Sequence, residues 1–264
     1  MAGPEPIDAG AVPRAALVTG AARRIGRAIA EDLAACGYAV AVHYHRSADA
    51  AEEVVRAIAA RGGRAIALGA DLARESEVTA LLPCAAAALG PIGVLVNNAS
   101  LFERDDALTA TRAGWDAHLE PNLRAPFVLI QEFARQLPAE AAGAVVNMID
   151  QRVWNLTPYF TSYTLSKAGL WTLTRTLALA LAPRIRVNAI GPGPTLPSPR
   201  QSDQQFREQF ARTPLRRPTS PAEICAALRF ILAAPALTGQ MIALDGGQHL
   251  GWAQEAAGSP AGEE

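Results

Sequence analysis

This sequence predicts a doubly wound α/β fold: a parallel sheet of about seven strands with helices on both faces, in a single domain. Three observations predict it. Short apolar runs alternate with longer amphipathic stretches along most of the chain. The runs are short and apolar, as expected for strands of a parallel sheet covered on both faces. And the 264 residues, half of them hydrophobic, show neither a second hydrophobic unit nor an internal repeat.

The elements follow in order. Ala15–Thr19 reads as a strand, then a helix from about Ile25 to Cys36; Ala39–His45 is a second strand and Ser47–Ala60 a helix with its charges on one side. Ala65–Gly69 and Val94–Asn97 read as the third and fourth strands, and Ala144–Met148, Ile185–Ile190 and Met241–Leu244 as the remaining three. Helical stretches fall near 75–88, 113–137, 163–182 and 221–233. Such a βα alternation is a Rossmann-type arrangement. The domain is expected over 13–252. Residues 1–12 and 253–264, rich in Gly, Pro, Ala and acids, are expected to be flexible tails.

Bulk properties exclude several classes. The net charge is −1 without a basic stripe, which argues against a nucleic-acid partner. Cys36, Cys84 and Cys225 are scattered and form no CxxC, and the four histidines make no metal-binding spacing, so no metal site is expected. His43 and His45 share a strand face but lack a third ligand. No apolar run approaches the ~18 residues of a membrane span. The acidic, proline-bearing start (Met1 to Asp8) does not resemble a signal peptide, and a cytoplasmic location is expected.

The first strand runs into Thr19-Gly20-Ala21-Ala22-Arg23-Arg24-Ile25-Gly26. Glycines there let the backbone turn tightly and approach a pyrophosphate at the helix N-terminus. Alone the pattern is weak; its place at the first strand–helix junction strengthens it. Arg24, a cation where a third glycine might stand, would reach phosphate oxygens or project towards the substrate. The second strand ends in His43-Tyr44-His45-Arg46-Ser47. An acid at that point would bind ribose hydroxyls and repel a 2′-phosphate, whereas Arg46 and Ser47 suit one. NADP(H) is therefore the expected cofactor, against a plain solvated arginine. Asp71 and Leu72 would flank the adenine, and Asn98, Ala99 and Ser100 would line the cofactor cleft.

Tyr163 and Lys167 stand four residues apart, on one face of a helix. A phenol with an ordinary pKa near ~10 needs its anion stabilised to work as an acid–base group, and the lysine ammonium is expected to do that. The spacing recurs by chance; what strengthens it is its position after the glycine turn and Asn97-Asn98-Ala99.

With these motifs the sequence resembles the short-chain dehydrogenase/reductase family over about residues 14–250. Asn188-Ala189-Ile190-Gly191-Pro192-Gly193, Thr238-Gly239-Gln240 and Leu244-Asp245-Gly246-Gly247 add to the match. The resemblance implies hydride transfer, Tyr163 as general acid, Lys167 as its helper and Asn122 in a proton relay. It adds Ile25, Pro192 and Gly193 to the cofactor set and implies a homo-oligomer, commonly a homotetramer. One position departs: where the family places a carbonyl-polarising serine, this chain has Asp150. A carboxylate repels a developing alkoxide but suits a C=N bond whose nitrogen must be protonated. It would supply that proton through Tyr163 or water, accept hydrogen bonds from an aminopyrimidine, or merely cap backbone amides.

Together with Arg24, the His43–Ser47 segment, Ser100 and Phe102, this departure resembles pteridine reductases and the bacterial dihydromonapterin/dihydrofolate reductases. That resemblance implies a pterin stacked on Phe102, with Ser100, Arg24, Asp150 and Tyr163 in contact with it; Phe102 as plain core is the alternative. Leu196–Phe210 is expected to be a substrate-covering loop. Trp154 and Tyr159 either line the pocket or pack beneath it. The leading expectation is an NADPH-dependent pterin reductase. A carbonyl reductase or alcohol dehydrogenase of the same family is the alternative. A non-catalytic dinucleotide sensor is more remote, because a sensor has no use for an activated phenol.

Overall fold

The computed structural model describes residues 12–251 except 199. The expected tails at 1–11 and 253–264, the end of the expected domain at 252, and Pro199 of the expected covering loop lie outside the described residues. Seven strands form one parallel sheet: β1 (Ala15–Val18), β2 (Ala39–Tyr44), β3 (Ala65–Gly69), β4 (Val94–Asn97), β5 (Gly143–Met148), β6 (Ile185–Pro192) and β7 (Met241–Leu244). Their order is β3-β2-β1-β4-β5-β6-β7. Eight α-helices accompany them among the described residues: α1 (Arg24–Ala35), α2 (Ala48–Ala59), α3 (Glu75–Leu89), α4 (Arg112–Leu119), α5 (Ala125–Gln136), α6 (Thr161–Leu181), α7 (Asp203–Ala211) and α8 (Pro221–Ala233).

Alternation along the strands builds two cores. Ala16 and Val18 of β1 face a cluster with Val40, Val42 and residues of α1, α2 and α8. Ala15 and Leu17 face the other, with Leu95, Val145, Val187 and residues of α3 and α5. With both faces covered, the inner strands read largely as apolar runs. The order reverses between β1 and β4, and the crevice at the strands' carboxyl ends there is where doubly wound sheets bind ligands.

Three expectations are corrected and one position is made definite. Val12, assigned to the tail, is buried in the first core, and the adjoining Pro13 backbone lies so close to Gly93 that a Cβ there would sit 2.2 Å from its carbonyl. The stretch 113–137 is not one helix: a π-turn, Glu120–Arg124, separates α4 from α5. Pro121 lacks an N–H to continue the helical ladder, and the chain absorbs this by widening one turn. The segment 196–210 is not loop throughout, since α7 occupies its second half, started by a capping box between Ser202 and Gln205. Finally, β5 stops at Met148, so Asp150 stands two residues beyond the strand as the N-cap of a short 3₁₀ turn, Gln151–Val153.

Candidate active site

At the carboxyl ends of β1, β4, β5 and β6 lies a cavity of about 260 Å³. Arg24, Ile25, Asn98, Ser100, Phe102, Asp150, Tyr163, Lys167, Pro192 and Gly193, all expected site residues, line it together. Trp154 and Tyr159 do not: Trp154 packs on His249 and Trp171, and Tyr159 lies under Arg104.

The turn after β1 is held from three sides. Asn98 Nδ2 donates to the carbonyls of Thr19 (2.8 Å) and Gly20 (3.2 Å). Thr19 Oγ1 receives the amides of Asn98 (2.9 Å) and Ala99 (3.0 Å), and the Gly20 amide donates to His43 Nδ1 at 3.0 Å. A Cβ on Gly26 would fall 2.3 Å from Gly20 O and 2.5 Å from Asn98 Nδ2, so only glycine fits. No side chain among the described residues caps the start of α1, and its first turn holds no acid. Its first amides are thus available to an anion. At the end of β2 Arg46 is exposed, and Ser47 stands before α2 without a side-chain capping bond. His45 approaches Asp71 at 3.8 Å, the Asp71 carboxylate also takes the Ala73 amide at 3.0 Å, and Leu72 is buried. These groups fit a phosphorylated dinucleotide: a tight turn, free amides, then an exposed cation.

Arg24 is held with φ at 55°, left-handed backbone that glycine would adopt without strain. Its guanidinium donates to the carbonyls of Pro197 (2.9 Å) and Leu196 (3.2 Å). Arg200 ties the far end of the same strap, donating to Phe102 O at 2.7 Å and pairing with Glu103. Leu196, Ser198 and Gln201 of the strap border the cavity. The ring of Phe102 is no loose core residue either: it stacks on Phe160 at 4.4 Å and meets the edge of Tyr163 at 4.6 Å.

At the chemical end α6 buries Tyr163 and Lys167 side by side. Tyr163 Oη donates to Asp150 Oδ2 at 2.9 Å, while Asp150 Oδ1 accepts the Arg152 amide at 2.8 Å. One carboxylate therefore both caps a turn and engages the phenol. Lys167 Nζ donates to Met148 O at 2.9 Å.

Burial, then the charge of Asp150 and its hydrogen bond, raise the Tyr163 pKa well above the phenol value; Arg152 and a hydrogen bond with Ser100 act against this. The phenol thus holds its proton, directed at Asp150. Burial lowers Lys167 to about 8, and Asp150 pulls it back up. Asn122 is buried in the π-turn, where its amide exchanges two hydrogen bonds with the Leu101 backbone (2.8 and 2.9 Å) and donates to Ser166 Oγ. This side chain shapes the segment after β4.

Sequence reasoning missed several lining residues, Gln151 among them. Gln151 is 4% exposed, and its Oε1 has no hydrogen-bond partner. Among the described residues no cluster could hold a metal ion, and no helix is long and apolar enough to cross a membrane.

A family model described as enoyl-(acyl carrier protein) reductase matches residues 20–249. The 3-oxoacyl-[acyl-carrier-protein] reductase FabG of Staphylococcus epidermidis is 35% identical over 90% of this chain and 99% of its own length. The chain belongs to the short-chain dehydrogenase/reductase family and is an oxidoreductase of that family. Among solved structures, FolM alternative dihydrofolate reductase 1 from Brucella canis, complexed with NADP, superposes with a TM-score of 0.90. It is 49% identical, over 96% of this chain and 99% of that one. The protein of the same description from Brucella suis, also with NADP, gives 0.88 at 50% identity, over 93% and 97%. Within the family the chain thus stands with the pteridine-reductase-like branch.

Proposed function

We propose that the protein is an NADPH-dependent reductase of a dihydropterin or dihydrofolate-like substrate. The observation that carries this reading is the 2.9 Å contact between Tyr163 and Asp150, in a cavity that also holds Phe102 and Lys167.

When bound, the reduced nicotinamide supplies hydride to a ring carbon of the substrate. Gly20, Ile25, Gly26, Asn98, Ala99, Pro192 and Gly193 would hold the dinucleotide, with Arg46, Ser47 and His45 at a 2′-phosphate and Asp71 and Leu72 at the adenine. Phe102 and Ser100 bound the substrate side. A carboxylate beside a C=N bond favours the protonated nitrogen, which is the more electrophilic form of the bond. Tyr163 delivers the proton, and Asp150 orients the phenol and accepts N–H groups of the ring. An alkoxide forming in the same place would meet a like charge, which disfavours simple ketones. A cytoplasmic homotetramer belongs to this proposal and rests on family resemblance.

NADPH oxidation followed with dihydrobiopterin, dihydromonapterin, dihydrofolate and several ketones tests the reading. Turnover of the pterins is expected. Turnover of ketones alone would overturn it in favour of a carbonyl reductase, the reading that the FabG similarity supports.

A further inference from the structure

Outside the catalytic group, Asp105, His118 and Ser162 form a buried chain of hydrogen bonds that joins three separate segments. Ser162 Oγ bonds the Asp105 carboxylate and lies 2.8 Å from His118 Nδ1. The Glu103 amide donates to His118 Nε2 at 3.0 Å. Asp105 also takes the Ser162 amide on both oxygens, at 3.2 and 3.3 Å, and its own carbonyl takes the Phe160 amide at 2.7 Å.

Donors and acceptors interlock in a single pattern. Nε2 receives a backbone N–H, so it carries no hydrogen, and the neutral ring must bear its proton on Nδ1. That hydrogen goes to Ser162 Oγ, and the hydroxyl hydrogen in turn goes to Asp105. The Gly114 carbonyl, one turn back on α4, is a second acceptor for the ring. Burial lowers the pKa of His118, against the opposing pull of Asp105, Gly114 and Glu103, which favours the neutral ring that this pattern needs.

The chain's location gives it a purpose. Glu103 follows Phe102, and Ser162 precedes Tyr163, so the relay staples the segment after β4 to the start of α6. The rings of Phe102 and Tyr163 meet across that staple, and His118 packs edge-on to Tyr163 at 6.1 Å. We propose that His118, neutral with its hydrogen on Nδ1, is a positioning residue that fixes the Phe102 wall against Tyr163. It thereby sets the width of the slot in which a flat substrate lies. The inference rests on the reading of Phe102 and Tyr163 as the substrate side of the cavity.

Imidazole ¹⁵N chemical shifts in the wild-type protein near neutral pH are expected to show the Nδ1–H tautomer, and the Glu103 amide is expected to be protected from hydrogen exchange. An imidazolium, an Nε2–H tautomer or a freely exchanging amide would overturn the proposal. In kinetics, H118F should raise KM for the reduced substrate about tenfold, the equivalent of one lost hydrogen bond, with kcat and the KM for NADPH nearly unchanged. H118Q, whose Oε1 can receive the Glu103 amide, should recover most of the loss. S162A, which cuts the same relay at its middle, should resemble H118F. An unchanged KM in folded H118F or S162A, or equal damage in H118F and H118Q, would overturn the assignment. Tautomer and exchange are read without substrate. A chain that reduces no pterin would therefore overturn the substrate reading without altering these two results.

Discussion

Tyr163 donates its phenolic hydrogen to Asp150, so the residue that departs from the family pattern engages directly the phenol proposed to deliver the proton. Asp150→Ser should therefore discriminate between substrates. Pterin reduction is expected to fall by about two orders of magnitude, the usual scale for loss of an acid–base partner. Carbonyl reduction, to which a serine hydroxyl can donate, should fall less or rise. Steady-state kinetics on a dihydropterin and a ketone checks this, and equal losses on both would reduce Asp150 to a turn cap.

The pH profile follows from the same pair. Burial lowers Lys167 to about 8, and under the proposed function its ammonium form is the one that would attract the dinucleotide ribose and the Tyr163 oxygen. Reduction should hold steady below that pH and decline as the pH rises through it. Asp150 raises the pKa of both Lys167 and Tyr163, so in Asp150→Asn both lose their protons more easily and the alkaline limb moves to lower pH. A limb that stays in place in a kcat/KM profile would show that neither group governs it.

The sheet was legible because its inner strands are buried on both faces and read largely as apolar runs. The site was legible wherever its residues lie close in sequence: the turn 19–26, Asn97–Ser100, and Tyr163 with Lys167. What stayed hidden depends on contacts across the chain. Asp105 and Ser162 are 57 residues apart, the two arginine ties of the strap span 173 and 98 residues, and no local pattern announces such pairs. Helix α7 buries none of its residues, and the single pair Phe206 and Phe210, one turn apart, is too short a stripe to betray it. The π-turn arises where Pro121 interrupts an otherwise continuous helical pattern. Arg24 had a visible signal, a cation in a glycine's place, but its left-handed backbone and its partners 172 and 173 residues away did not.

Cofactor choice should turn on Arg46. It is exposed at the end of β2, where a 2′-phosphate would arrive and where an acid would instead bind ribose hydroxyls. Arg46→Asp is expected to raise the KM for NADPH at least about tenfold, in keeping with loss of a charge-assisted bond, while NADH improves. Unchanged preference in initial-rate assays would move the phosphate site elsewhere.

Arg24 sets backbone strain against a clamp. Arg24→Gly relieves the left-handed conformation, Arg24→Ala does not, and both cut the bonds to Leu196 and Pro197. The glycine variant should be the more stable of the two by about 1 kcal/mol. Both should show a raised substrate KM and faster proteolysis within 196–201. Thermal melts and limited proteolysis check these outcomes. Strap protection equal to that of the wild type would mean that Arg200 holds the strap alone.

His43 ties the phosphate-binding turn to the sheet, accepting the Gly20 amide on Nδ1 while Nε2 meets Ala70 O at 3.1 Å. Accepting the Gly20 amide needs a neutral ring, and burial lowers its pKa to about 4, against the hydrogen bond to Ala70 O, which raises it. An unfolded histidine titrates near ~6.5, so between these values the unfolded chain binds more protons than the folded one. The contribution is complete above the unfolded value and is lost as the pH falls from there through about 4. The loss amounts to about 3 kcal/mol. Denaturant midpoints measured across that range should fall for the wild type and fall less steeply for His43→Gln, which cannot titrate. Parallel slopes in the two proteins would place the acid sensitivity in other groups and leave His43 as a hydrogen-bonding residue only.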